Sequence, residues 1–243
     1  MVNFTIETTI NETTYSHIVK IFRACIDFDE IPYVIPSFDD LKGYVTIIFA
    51  WIDHEAIGFI WNTDTILNEA FGMVVPNFRR QGIFSKLIAF LSKELTNNAS
   101  ITFYGKPEYS IMKQCANRLG YVLSNEELLM KYEGNNCHKE WSYDVEEKDN
   151  QFYYYIEDDL VGYCSLFETD STINIYDVKI LEEFRGLGYG TQIIEDVLWN
   201  VCQSGKQIIL QVAANNLVAV RCYHKCDFVT MDSVVFYTKG SIE

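Results

Sequence analysis

Two stretches of the chain carry the same order of hydrophobic and polar positions. "VTIIFAWIDHEAIGFIW" (residues 45–61) and "QFYYYIEDDLVGYCSLF" (151–167) each place two aromatic and β-branched runs around an acidic break. Such a pattern predicts a β-hairpin. A shorter apolar stretch follows each hairpin, at 70–76 and 172–181, and predicts one more strand. The spacing then becomes helical. Leu87, Ile88, Leu91 and Leu95 make one stripe; Ile193, Ile194, Val197, Leu198 and Val201 make another. Between strand and helix, Phe78-Arg79 aligns with Phe184-Arg185 and Gly82 with Gly188, an offset of 106 residues. Further on, "CANRLGYVLSNEELLMKY" (115–132) matches "CYHKCDFVTMDSVVFYTK" (222–239), and each reads as a helix end followed by two strands.

The repeated order of hairpin, strand, glycine turn, helix, strand, helix and strands implies a tandem duplication of an α/β unit. The polar, turn-rich segment 133–140 suggests a division into residues 1–136 and 137–243. Only the first copy has a helical lead-in, from Tyr15 to about Ala24, followed by an irregular stretch with Pro32 and Pro36.

Charge narrows the partners. The chain has a net charge of −15, with 11 basic and 16 acidic residues up to 136 and 8 and 18 after it. Phosphate backbones and anionic membranes are repelled, so neither nucleic acid nor a membrane is an expected partner, whereas a cationic small molecule is attracted. The N-terminus does not resemble a signal peptide and no apolar run reaches bilayer length, which together predict a cytoplasmic protein. Seven scattered cysteines then read as reduced thiols. Cys222 and Cys226 share a helical face, but His224 points elsewhere and no second pair completes a metal site.

The stretch "RGLGYG" (185–190) carries the chemistry. Glycines reach positive φ and let a ligand approach the backbone, and a helix starting near Tyr189 would present free amides to an anion. A P-loop requires a lysine that is missing, and Thr191 stands where a dinucleotide fingerprint has its third glycine.

Arg185, Gly188 and Gly190 fit the R/Q-x-x-G-x-G/A motif of the GNAT superfamily of acetyl-CoA-dependent N-acetyltransferases. After an intervening strand, Asn216, Ala219, Tyr223 and Phe228 match that family's N-x-x-A-x-x-x-Y-x-x-x-G-F helix, with Asp227 in place of its glycine. The second copy therefore resembles a GNAT domain, and the chain a tandem pair with mixed sheets flanked by helices.

This resemblance implies a set of roles. Val178 and Ile180 on the splayed strand would pair with the pantetheine arm of acetyl-CoA, and the Val178 amide would polarise the thioester carbonyl. The amides of Gly186, Leu187, Gly188, Tyr189, Gly190 and Thr191, with Arg185 beside them, would take the pyrophosphate. Asn216 would hydrogen-bond pantetheine, and Tyr223 would protonate the departing thiolate. A base is harder to place. Asn174 and Tyr176 share the parity of Val178 and are poor bases, so Glu168, or Asp177 re-aimed by a bulge, is expected to act through water.

The first copy keeps Arg79 and Gly82 but has Phe84 for the last glycine, and Tyr109, Met112 and Ala116 for the asparagine, alanine and tyrosine. It lacks the acid, although 78–85 could still hold a CoA phosphate, and it is expected to serve as a scaffold that shapes the acceptor site. The resulting expectation is acetyl transfer to a primary amine of a small molecule or peptide. The alternative is a non-catalytic acyl-CoA-binding or regulatory protein. Oligomeric state is not legible.

Overall fold

The computed structural model describes residues 1–31, 33–63, 68–95, 100–134 and 141–239. The chain runs β1 (Asn3–Glu7), α1 (Glu12–Asp29), β2 (Tyr44–Ile52), β3 (Glu55–Thr63), β4 (Glu69–Val74), α2 (Ile83–Glu94), β5 (Thr102–Gly105), α3 (Ser110–Arg118) and β6 (Tyr121–Tyr132). It continues with β7 (Asp144–Lys148), β8 (Gln151–Ile156), β9 (Asp159–Glu168), β10 (Thr172–Ile180), α4 (Tyr189–Val201), β11 (Gln207–Ala213), α5 (Leu217–Lys225) and β12 (Phe228–Lys239). Two compact units result: Met1–Ser124 with Val235–Glu243, and Asn125–Val234. The sequence-based boundary at 136 lies outside the described residues, as do Pro32 and most of the polar segment 133–140.

In the N-terminal unit, β1 to β4 pair antiparallel in sequence order, β5 lies parallel to β4, and the end of β12 pairs antiparallel with β5. In the C-terminal unit, β7 to β10 form the antiparallel run, β11 lies parallel to β10, and β6 pairs antiparallel with β11. Both hairpins form where the alternation predicts them. Their turns use left-handed residues: Asp53 and His54 in one, types that tolerate that region, and Glu157 in the other.

β6 and β12 are each one strand of 12 residues, not the two strands expected after each helix. The polar pairs Ser124-Asn125 and Asp232-Ser233 look like turns in sequence but lie within continuous strands. Each strand also serves two cores. Tyr121 of β6 and Val235 and Tyr237 of β12 pack in the N-terminal unit; Met130 of β6 and Phe228 of β12 pack in the C-terminal unit.

The N-terminal sheet is covered on both faces. Ile83, Leu87 and Leu91 of α2 pack on one side, and Ile18, Ile21, Phe22 and Cys25 of α1 on the other. Burying each such side chain contributes about 1.5–3 kcal/mol. The lead-in helix is longer than the periodicity alone suggests. It starts at the Asn11 cap, whose Oδ1 accepts from the Thr14 amide at 2.9 Å, and continues to Asp29.

The C-terminal unit has one core, where α4 and α5 pack on the same face of the sheet. No helix among its described residues is the counterpart of α1. Among the described residues of the whole chain, no helix is long and apolar enough to cross a membrane. Cys25, Cys115, Cys164, Cys222 and Cys226 are free thiols, but Cys202 is disulfide-bonded, which corrects the expectation that every thiol is reduced.

Candidate active site

β10 and β11 pair in parallel only from Thr172↔Gln207 to Ile175↔Leu210 and then diverge. Beyond that point β10 keeps its antiparallel partner β9 on one side only. Its register slips between Tyr176 and Lys179, and Asp177 sits there at φ 50°. The slip is a bulge, and it resets the alternation. Ile173 and Ile175 face the core before it; Val178 and Ile180 face the core after it. Val178 therefore does not share a face with Asn174 and Tyr176, contrary to the parity read from sequence. The diverging segment 176–180 leaves backbone groups on its β11 side open to a ligand.

The strand ends in the glycine turn. Arg185 Nε donates to Ile180 O at 3.0 Å and closes the loop. Gly186 and Gly188 take φ 79° and 92°, and a Cβ at Gly186 would meet nothing within 4 Å, so the surface there is open. Among the described residues no hydrogen bond occupies the amides of Gly186, Leu187, Gly188, Tyr189 or Gly190. The Thr191 amide, also expected to bind phosphate, donates to Gly188 O at 3.0 Å. No side chain caps α4. An exposed run of free amides at a helix start fits the pyrophosphate of acetyl-CoA.

α5 closes the other side. Asn216 is its cap: Oδ1 accepts from the Ala219 amide at 3.2 Å. That commits the oxygen and leaves the amide nitrogen for a ligand. Tyr223 is 7% exposed and packs edge-on to Phe228 at 6.1 Å, in the same core as Val178 and Ile180. Burial, followed by the nearby Cys222, Cys164 and Cys226 thiols, pushes its phenol above the ordinary 10, so it keeps its proton at neutral pH.

Sequence reasoning weighed Cys222 only as a metal ligand. Its Sγ lies 3.5 Å from Thr191 Oγ1, and a Cβ at Gly190 would stand 3.6 Å from it. The neighbouring Cys226 thiol, aided by the Thr191 hydroxyl and Lys225, holds the Cys222 thiol below its ordinary range despite burial, while Cys226, whose Sγ donates to Thr191 O, keeps its proton.

The two candidate bases part company. Asp177 lies on the sheet face opposite α4, where it accepts from Gln151 Nε2 at 2.9 Å; the same nitrogen reaches Ser165 Oγ at 3.2 Å. Tyr153, Tyr163 and Tyr176 share this face, and Tyr176 is 45% exposed. Asn174 Oδ1 is buried there with no donor among the described residues. Glu168 instead pairs with Ile173, four residues before Asp177, or about 13 Å along a strand. Its carboxylate is 2.8 Å from Lys206 Nζ. The structure does not bring it to the bulge.

The N-terminal unit repeats the frame with other side chains. β4 and β5 pair only at Glu69↔Thr102 and Ala70↔Phe103, then separate. Arg79 Nε donates to Val74 O at 2.9 Å, as Arg185 does to Ile180. Its two remaining nitrogens clamp Asp29 of α1 at 2.6 and 2.9 Å, and the Asp29 side chain is 1% exposed. Tyr33 donates to the same carboxylate at 2.8 Å. Phe84, in place of Gly190, packs its ring tilted against Phe103 and approaches Gly72, which occupies the position of Val178. A Cβ at Gly72 would come within 2.6 Å of Phe59 O and 3.0 Å of the Phe84 ring, so only glycine fits.

Residues 122–228 match the family described as "Acetyltransferase (GNAT) family". Among solved structures the chain is similar to a GCN5-related N-acetyltransferase from Sphaerobacter thermophilus (14% identity, 97% of this chain and 95% of that one, TM-score 0.73). It is also similar to a tandem GNAT protein from the clavulanic acid biosynthesis pathway, solved without AcCoA (13% identity, the full length of both chains, TM-score 0.65). A third is the glucosamine N-acetyltransferase region of a fungal multi-domain GH3 β-N-acetylglucosaminidase (13% identity, 98% of this chain and 38% of that one, TM-score 0.69). At these identities the likeness is one of fold. No curated protein matches the chain by sequence.

Proposed function

We propose that the C-terminal unit transfers an acetyl group to a primary amine of a cationic small molecule or peptide. The observation that carries this reading is the coincidence of three features at one place: the β10–β11 divergence, the open glycine amides and the protonated Tyr223. Acetyl-CoA, when bound, supplies the activated acetyl group. Gly186, Leu187, Gly188, Tyr189 and Gly190 would hold its pyrophosphate through their amides, with Arg185 alongside and Thr191 through its hydroxyl side. Val178 and Ile180 would hold the pantetheine through the open strand edge, and the Asn216 amide nitrogen would assist.

The Val178 amide donates to the carbonyl oxygen as charge builds on it, and Tyr223 gives its proton to the departing sulfur. Asp177, held by Gln151, takes the amine proton through water. The rings of Tyr153, Tyr163 and Tyr176 suit an incoming ammonium, and Asn174 Oδ1 accepts its N–H. The N-terminal copy has Ala116 where the acid would stand and carries no transfer step.

Thiol release, measured across a panel of amines with the wild type and Tyr223→Phe, tests this reading. Absence of acetyl-CoA binding would overturn it. A second reading, acyl-CoA binding without turnover, draws on the engagement of Glu168 with Lys206 and of Asp177 with Gln151. Binding with no thiol release for any amine selects it.

A further inference from the structure

The N-terminal unit holds a cavity of about 620 Å3 where β4 leaves β5, a volume typical of small-molecule sites. Phe71, Phe78, Phe84, Phe103, Tyr109 and Met112 make its walls predominantly apolar. Arg79, Arg80 and Arg118 also line it. Arg79 is committed to Asp29. Arg80 and Arg118 form no ion pair or hydrogen bond among the described residues. Arg80 has φ 62°, at the position where the other copy has Gly186. A non-glycine residue there costs about 1–2 kcal/mol, and it places a cation on the turn where its counterpart has bare backbone. In a chain of net charge −15, two unpaired guanidiniums on one apolar cavity select for an anion.

Two other features set this turn apart from the one assigned a thioester cofactor in the C-terminal unit. The Phe84 ring crowds Gly72, where a Cβ at Gly190 would meet Cys222 and Ile180 only at 3.6 Å, and Arg79 is neutralised by Asp29.

We infer that this cavity binds an organic anion with an apolar body. Arg80 and Arg118 hold a carboxylate or phosphate head, and the hydrocarbon or aryl part lies against Phe71, Phe84, Phe103 and Met112. Guanidinium forks suit both head groups. The site is separate from the transfer chemistry and stands or falls independently of it.

Cys115 lines the cavity as a free thiol, and Cys222 beside the other glycine turn is an internal reference. Labelling of the full chain with N-ethylmaleimide, followed by peptide mass spectrometry, reads both. Decanoate and decyl phosphate, below their micellar concentrations, are expected to slow labelling of Cys115 and leave Cys222 unchanged; their relative potency tells carboxylate from phosphate. Arg80→Glu with Arg118→Glu should raise the half-protecting concentration by about tenfold or more, given the strength of charge-assisted bonds. Equal protection by decylamine, or none by either anion, overturns the inference without recourse to a variant. Protection of Cys115 by acetyl-CoA but not by decanoate also overturns it, and assigns the cavity to the family's thioester.

Discussion

The two glycine turns share a hinge and differ in what surrounds it. Arg79 and Arg185 each donate Nε to the carbonyl five residues earlier, so both turns close in the same way. Beyond that bond they diverge. Arg79 spends its remaining donors on a buried aspartate from α1 and thereby ties a helix to the turn. Arg185 stays exposed, and among its described residues the C-terminal unit has no helix equivalent to α1 to supply such a partner. One arginine is thus a structural clamp, while the other, at the matching place in its turn, keeps its outer nitrogens exposed. On the sheet face that corresponds to the one α1 covers in the N-terminal unit, Asp177, Tyr176 and Phe167 are exposed.

Four experiments would break or sharpen this contrast. Tyr223→Phe keeps the buried ring and removes the proton donor, so acetyl transfer should fall by about 10²–10⁴-fold while the melting temperature changes little; steady-state thiol release checks it. Because burial raises the Tyr223 pKa above 10, its loss of a proton should impose no fall in rate up to pH 10.

Asp29→Ala leaves the Arg79 charge without its partner and should cost about 3–5 kcal/mol in urea unfolding. Arg185→Ala should stay within about 0.5 kcal/mol of wild type and instead weaken acetyl-CoA binding. If the two arginine sites responded alike, the clamp-and-ligand distinction would fail. Gly188→Ala forces φ 92° on an L-residue and should lose about 1–2 kcal/mol, again by urea unfolding, with a matching loss for Gly82→Ala at φ 74°.

The smallest effect is chemical. The Cys222 pKa is lowered, so its alkylation rate should level off at a lower pH than that of Cys115, whose thiol burial raises. Acetyl-CoA should protect Cys222, since its sulfur touches Thr191. A pH–rate profile for each peptide decides.

Local patterns carried most of the legible fold. The hairpins, both glycine turns and all the helices named from periodicity form where alternation or a helical stripe predicted them. What failed was non-local. Nothing near Asp29 in sequence announces Arg79, fifty residues on, as its partner. The Asp177 bulge contains no glycine to mark it, yet it decides which side chains share a face with Val178. Ser124-Asn125 and Asp232-Ser233 have turn composition, but each lies within one continuous strand, β6 or β12. At the site, the glycine turn, Asn216 and Tyr223 were readable because their spacing is rigid. The bases were not: Glu168 and Asp177 are four residues apart along the register, and only the ladder tells which end of the strand matters.

The strand exchange has a consequence for biosynthesis. The strand that borders β5 comes from Val235–Tyr237, so the first unit, although nearly all of it is translated first, lacks its last strand until the second unit has been made. On the ribosome, β5 must wait with an open edge through more than a hundred residues of further synthesis. Folding of the earlier copy is thereby made conditional on completion of the later one. A chain released early would expose that edge, and a quality-control system could recognise it.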